Sequence, residues 1–280
     1  MKRAADFRAI ARDALKGKWW IAVLTGVVAS LLGGVMAFGN NANFNINMGD
    51  SSLGDISSDI FSEEVWLAIA ILSMVLGLLF SFLAVARFVV GGPVKMGYSV
   101  FNLNLVDKKE TKFGDLFSCF NRFGAGFCMN LLMGIFIFLW SLLFVIPGII
   151  KSFSYAMTPY VLAENPQMTA KQAITRSRWL MDGNKWRLFC LNFSFIGWGL
   201  LSLVPALICT IVIGMLVAFG ESIVAIICMV LVALVSLIPS LFLQAYQQAA
   251  YAAFYRDIAG SPKPFAEEMP EEENGGFQEC

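Results

Sequence analysis

Residues Trp19–Phe38 read WWIAVLTGVVASLLGGVMAF: an uncharged run that opens on a tryptophan pair. As a helix rising 1.5 Å per residue, about twenty such residues match the roughly 30 Å hydrocarbon core of a bilayer, and paired tryptophans suit its aromatic belt. Gly33 and Gly34 would allow another helix to approach closely.

Further runs follow. Val65–Val90 carries one charge, Arg87, and is expected to stop at Gly91-Gly92-Pro93. Phe127–Ile146 ends at Pro147-Gly148, which offers a turn. A shorter apolar stretch, Ile149–Ala163, is broken by Lys151 and Pro159. Beyond Arg187 only Glu221 is charged before Arg256, so Leu188–Phe219 and Ile223 to about Tyr246 read as two long spans around Gly220-Glu221. Composition agrees: 58% of residues are hydrophobic and 14% are charged, far from a soluble domain.

Charge placement gives the expected topology. All 20 basic residues fall in four blocks, Lys2–Lys18, Arg87–Arg122, Lys151–Arg187 and Arg256 with Lys263. The positive-inside rule puts each block in the cytoplasm and so requires an even number of crossings between neighbouring blocks. The fold class expected is an all-α polytopic transmembrane helical bundle of about six spans, with both termini cytoplasmic. The fourth span is the weak one. As a helix, Ile149–Ala163 reaches only roughly 22 Å, so a short span and a re-entrant hairpin fit equally well.

Between the spans lie two amphipathic segments expected on the cytoplasmic face. In Ala4–Leu15, Phe7, Ile10, Ala11, Ala14 and Leu15 recur at helical spacing opposite Arg3, Arg8, Arg12 and Lys16. In the second, Thr169 and Gln172 form a capping box, Ala170, Ala173, Ile174 and Met181 share a face, and Gly183 can end the helix. The organisation is therefore a surface helix at 1–18, spans one to four at 19–163 with an external Asn- and Ser-rich loop at 39–64, a surface helix at 164–187, spans five and six at 188–259, and an acidic tail at 260–280. The polar, periodic start ahead of a full-length span argues against a cleaved signal peptide.

Catalytic chemistry has no visible carriers. The chain contains no histidine, which removes the commonest general base and metal ligand. Cys119, Cys128, Cys190, Cys209, Cys228 and Cys280 form no C-x-x-C pair, and most fall in apolar runs, so they read as reduced thiols. No phosphate loop, nucleophile elbow or paired-carboxylate motif is present. Neither a cofactor nor a metal is expected, and zero net charge gives no pull toward nucleic acid.

The remaining candidates are polar groups near membrane ends. Gln244, Gln248, Tyr251 and Tyr255 make a stripe on the last span that would serve either as helix glue or as a solute path. On the same helix Ala245, Ala249 and Ala253 form a small-residue ladder suited to a helix of this chain, a second copy or another membrane protein. Arg87 would snorkel to headgroups or form a buried ion pair, and Glu221 would sit in an external turn. Asn130 and Asn192 suit interhelical hydrogen bonds. Lys171, Arg176, Arg178, Lys185 and Arg187, gathered with Trp179 and Trp186, suit anionic lipid headgroups.

The stretch Pro159–Leu201, PYVLAENPQMTAKQAITRSRWLMDGNKWRLFCLNFSFIGWGLL, resembles the signature of a bacterial family of integral membrane proteins, domain of unknown function 975. GNKWRLF and SFIGW are its most specific pieces. The basic opening helix with its Lys-Trp ending, the Pro-Gly after the third span and the closing AAYAAFYRD are similar too, whereas the Asn-rich loop and the acidic tail depart from the family. The resemblance implies a membrane location and no established chemistry. Three functional classes follow: a non-enzymatic protein that organises or protects the envelope through lipid and helix contacts, a transporter or channel component, and a membrane-embedded enzyme. The first is the leading expectation, with membrane lipids as partners.

Overall fold

The computed structural model describes residues 2–35, 63–199 and 222–260, which form helices and 3-10 turns without a strand. Residues 39–62 of the segment expected as an external loop, Glu221, Cys209 and the acidic tail from 261 lie outside the described residues. The chain divides into two compact units, 37–89 and the remainder.

Helix α1 is Ala4–Leu15, α2 is Trp19–Leu31, and α3 runs from Glu63 to Val106. After two 3-10 turns, Phe113–Phe117 and Phe120–Arg122, come α4 (Phe123–Leu143), α5 (Val145–Tyr155), α6 (Thr158–Glu164), α7 (Ala170–Leu180), α8 (185–199) and α9 (Ser222–Ala259). Two stretches, Ile71–Val106 and Phe113–Leu143, are long and apolar enough to cross a membrane. A third exists if α1 and α2, bent by 105° at Gly17, count as one broken span. Six is not reached among the described residues. Most of the expected fifth span and its turn into the sixth, residues 200–221, lie outside them, and the expected fourth span is divided between two short helices.

That divided segment is the return of a hairpin. Phe144, in extended conformation, ends α4, and α5 folds back along it. The reversal therefore comes three residues before Pro147-Gly148, which lies inside the first turn of α5, where a proline lacking its N–H costs no helical bond. Gly148 is buried against Ser141, and a Cβ there would collide with the serine.

A second correction concerns Gly91-Gly92-Pro93. Helix α3 passes through it to Val106. The glycines are packing points instead: a Cβ at Gly92 would strike the Gly126 carbonyl of α4, one at Gly91 would lie 2.8 Å from the Gly33 carbonyl oxygen, and one at Gly97 would strike the Leu116 carbonyl. The half of α3 that follows is the core of the larger unit, with Val94, Met96, Tyr98, Phe101, Leu103 and Leu105 all buried. Its earlier half, in the smaller unit, exposes Leu72, Met74, Leu78, Phe80 and Phe82 on every side, the pattern of a helix meant for an apolar surrounding.

Both amphipathic helices form, and both spend their apolar faces on protein. In α1, Phe7, Ala11, Ala14 and Leu15 are buried and the helix lies on α9, with the Phe7 and Phe254 rings edge to face at 5.3 Å. In α7 the Thr169–Gln172 capping box is present, and Ala170, Ala173, Ile174 and Met181 are buried against α4, α5 and α6. Gly183 takes a positive φ of 72° just past its end, the left-handed geometry that glycine tolerates. The Ala245, Ala249 and Ala253 ladder is buried as well, and α1 and α2 both pack on α9. Close approach is thus used within the chain.

Candidate functional site

The apolar helices of the larger unit end in charges of opposite sign, and these meet. Asp107 follows the last turn of α3, Glu164 closes α6, Arg187 lies in the first turn of α8, and Arg256 and Asp257 stand near the end of α9. Arg256 donates through Nε and Nη2 to the two Asp107 oxygens at 2.9 and 2.6 Å, a bidentate pair, and through Nη1 to Glu164 Oε1. Tyr255 donates its hydroxyl to the other Glu164 oxygen at 2.7 Å while its ring stacks on Tyr160 at 5.4 Å. One step away, Arg187 donates to Asp257 at 2.5 Å, to the Lys2 carbonyl at 3.2 Å and to the Asn184 side chain at 2.8 Å. Its guanidinium also sits 5.6 Å from both the Phe7 and Phe254 rings, and the Lys2 ammonium is 3.5 Å from Asp257.

These groups are partly buried, so their electrostatics matter more than those of surface pairs. Burial opposes the charge of Arg256, yet Asp107 and Glu164 together hold its pKa above the ordinary value. Burial first, then the negative charge of Glu164 and the bond to it, push the Tyr255 phenol up. Farther out, Lys108 and Lys16 flank Asp13 and hold its carboxyl below the usual range, and Lys18 donates to the Lys109 carbonyl at 2.8 Å. All four basic blocks of the sequence therefore contribute to one end of the unit.

The polar stripe of α9 is partnered rather than open. Gln244 donates to the Gly26 carbonyl at 3.3 Å, Gln248 is buried, Tyr251 donates to Asn192 of α8, and Tyr255 joins the charged network. Of the basic group around α7, Arg187 is turned inward. Arg176 caps the Trp179 ring at 4.6 Å, while Arg178, Lys171 and Trp186 are exposed and Lys185 is half exposed. Arg87 is exposed on α3 within the smaller unit.

Sequence reading missed Asp107, Glu164, Arg256 and Asp257, although each is a charge at the end of an apolar run. It also missed Lys95. This lysine sits mid-helix in α3, beside residues buried on every side, and donates to Asn130 of α4 at 2.6 Å. Among the described residues no group of three His, Cys, Asp or Glu could hold a metal, and Cys119, Cys128 and Cys190 are not in disulfides.

No curated protein and no solved structure matches the chain. Residues 1–154 and 142–261 match the family described as "Protein of unknown function (DUF975)". The matched region contains every member of the charged network, including the GNKWRLF and AAYAAFYRD pieces that supply Asn184, Arg187, Tyr255, Arg256 and Asp257. On that coverage the chain belongs to this DUF975 family.

Proposed function

We propose that this chain is a non-enzymatic, multi-pass protein of the bacterial cell membrane, with both termini in the cytoplasm, that organises or protects the envelope through lipid and helix contacts. The observation that carries the reading is the destination of its polar groups. Arginines, carboxylates and tyrosines that would make a catalytic set bind one another and fasten five helices, whereas the exposed surface is apolar and aromatic with a cationic fringe. Such a surface fits lipids, and a second copy or another membrane protein, better than it fits nucleic acid.

The shared cytoplasmic side of the termini is supported by the contact of Lys2 with Asp257 and of Phe7 with Phe254. A total of six spans requires the α4–α5 hairpin to reach the outer face and two further spans to join at 200–221. Cysteine labelling of an otherwise cysteine-free chain tests this. Gly148 is unsuitable because it is buried, but Phe144 and Arg178 are exposed. Six spans predict external labelling of Phe144→Cys and cytoplasmic labelling of Arg178→Cys. A Phe144→Cys that is silent from outside makes the hairpin re-entrant. For the function itself, a deletion strain should become sensitive to envelope stress and cationic antimicrobial peptides, and wild-type but not Arg256→Ala should restore it. An unaltered deletion strain would sink the reading.

A second reading, a transporter or channel component, draws on Lys95 and Asn130, because an ionisable side chain inside an apolar span candidate is a default functional position. Flux of any ion or small solute in reconstituted vesicles, abolished by Lys95→Met, would favour it.

A further inference from the structure

We propose that Lys151, Arg178 and Lys185 form a binding site for the phosphate of an anionic glycerophospholipid. The site rests on the lipid-contact reading above and gives it a specific address.

The three cations come from three elements that the fold brings together. Lys151 is on α5, Arg178 on α7, and Lys185 at the start of α8. Ser177, next to Arg178, donates to the Ser154 carbonyl at 2.9 Å, and Ser154 lies one turn after Lys151. Phe153 of α5 meets Phe189 of α8 edge to face at 6.1 Å, which draws the start of α8 to the same place. Arg178 and Lys185 both lie close enough to act electrostatically on Lys151. None of the three has a carboxylate partner among the described residues, in contrast to the network around Arg256. The Lys151 ammonium instead rests over the Trp140 ring at 4.6 Å.

Arg178 and Lys185 each repel Lys151 with no carboxylate to offset them, so an anion placed beside Lys151 relieves both repulsions. The rim identifies its source. Trp186 is 71% exposed, Phe189 39%, and on the hairpin next to Lys151 the side chains of Ile149 and Ile150 are exposed. A ligand that satisfies both halves carries a phosphate and acyl chains. Free phosphate would leave the apolar rim in water, whereas a bilayer lipid covers it. Aromatic side chains at headgroup depth with adjacent Lys and Arg are the usual composition of such a contact.

The test uses the full chain, purified in mild detergent from an equal mixture of phosphatidylglycerol and phosphatidylcholine, with retained lipid counted by native mass spectrometry. Wild type should retain the anionic lipid preferentially. Each cation near an anionic surface contributes on the order of fivefold, so K151Q/R178Q/K185Q should lower the retained anionic-to-zwitterionic ratio at least tenfold. The charge-matched control K16Q/K108Q/K112Q should keep it. If the triple variant cannot be recovered folded, R178Q alone should lower the ratio about fivefold. A wild-type preference that survives these substitutions overturns the site and leaves the lipid-contact reading standing; absence of any wild-type preference overturns both. Displacement of the lipid by 10 mM inorganic phosphate, to the level of the triple variant, would make free phosphate the ligand and overturn the assignment to lipid.

Discussion

Arg256 and Asp107, 149 positions apart in the chain, are joined by a bidentate pair at 2.9 and 2.6 Å, and the same guanidinium also bonds Glu164. One cation thus fastens the ends of α3, α6 and α9. Removing it leaves two half-buried carboxylates facing each other, and breaking a buried pair from one side costs more than the pair itself contributes. Arg256→Ala should lose about 3 kcal/mol of stability. Asp107→Asn combined with Arg256→Ala should lose clearly less than the sum of the two single changes, because they share one interaction. Thermal unfolding in detergent, followed by tryptophan fluorescence, checks both; strict additivity would mean that the pair does not couple these helices.

The Tyr255 phenol is raised by burial and by Glu164, which gives a pH dependence of defined sign. The unfolded tyrosine releases its proton near pH 10, whereas the folded one keeps it. Above pH 10 the unfolded state therefore binds fewer protons than the folded state, and stability falls as pH rises. Below that pH the contribution is fully present. Tyr255→Phe cannot titrate. It should be less stable than wild type by about 1 kcal/mol at neutral pH through the lost hydrogen bond, and the gap should narrow as pH passes 10. A gap that is constant between pH 7 and 11 would refute the assignment.

Local pattern made much of this fold legible in the sequence. Helical spacing in Ala4–Leu15 and the Thr169–Gln172 capping box depend on residues within a turn or two, and both form as read. What covers a face depends on distant residues, so spacing marked Phe7 and Ile174 as apolar faces suited to the membrane surface but could not show that α9 or α6 lies against them. Gly91-Gly92-Pro93 is the instructive case. Glycine and proline weaken a helix locally, and the run reads as a stop. Here close contact with Gly33 and Gly126 outweighs that preference and carries the helix onward. The charged network escaped for a similar reason: Asp107, Glu164 and Arg256 each look like a solvated helix end until three ends are placed together.

Those glycine contacts are directly testable. A methyl group at Gly92 or Gly97 meets backbone carbonyl carbon and oxygen, which cannot swing away as a flexible side chain can. Gly92→Ala and Gly97→Ala should each cost about 2–3 kcal/mol, as overpacking does. Gly124→Ala, where nothing lies within 4 Å of an added Cβ, should be neutral or slightly stabilising, since alanine favours helix. Size-exclusion profile and melting temperature measure the contrast. Equal behaviour of all three variants would show that α3 does not closely approach α4 at Gly92 or the Phe113–Phe117 turn at Gly97.

Lys95 and Asn130 form a polar pair inside the unit, with the ammonium donating at 2.6 Å across the α3–α4 contact that Gly92 and Gly126 make close. Asn130→Ala takes away that acceptor and should cost about 2 kcal/mol or more. Replacing both partners with apolar groups of similar size leaves nothing unsatisfied, so Lys95→Met with Asn130→Leu should recover most of the loss. Stability alone cannot separate a structural lysine from one that serves a solute path, but stability measured beside flux can. If the double variant is as stable as wild type and the envelope phenotype of the deletion strain is still rescued, Lys95 is packing. If stability returns while rescue and ion flux are both lost, the ammonium itself is needed, and the transporter reading displaces the structural one.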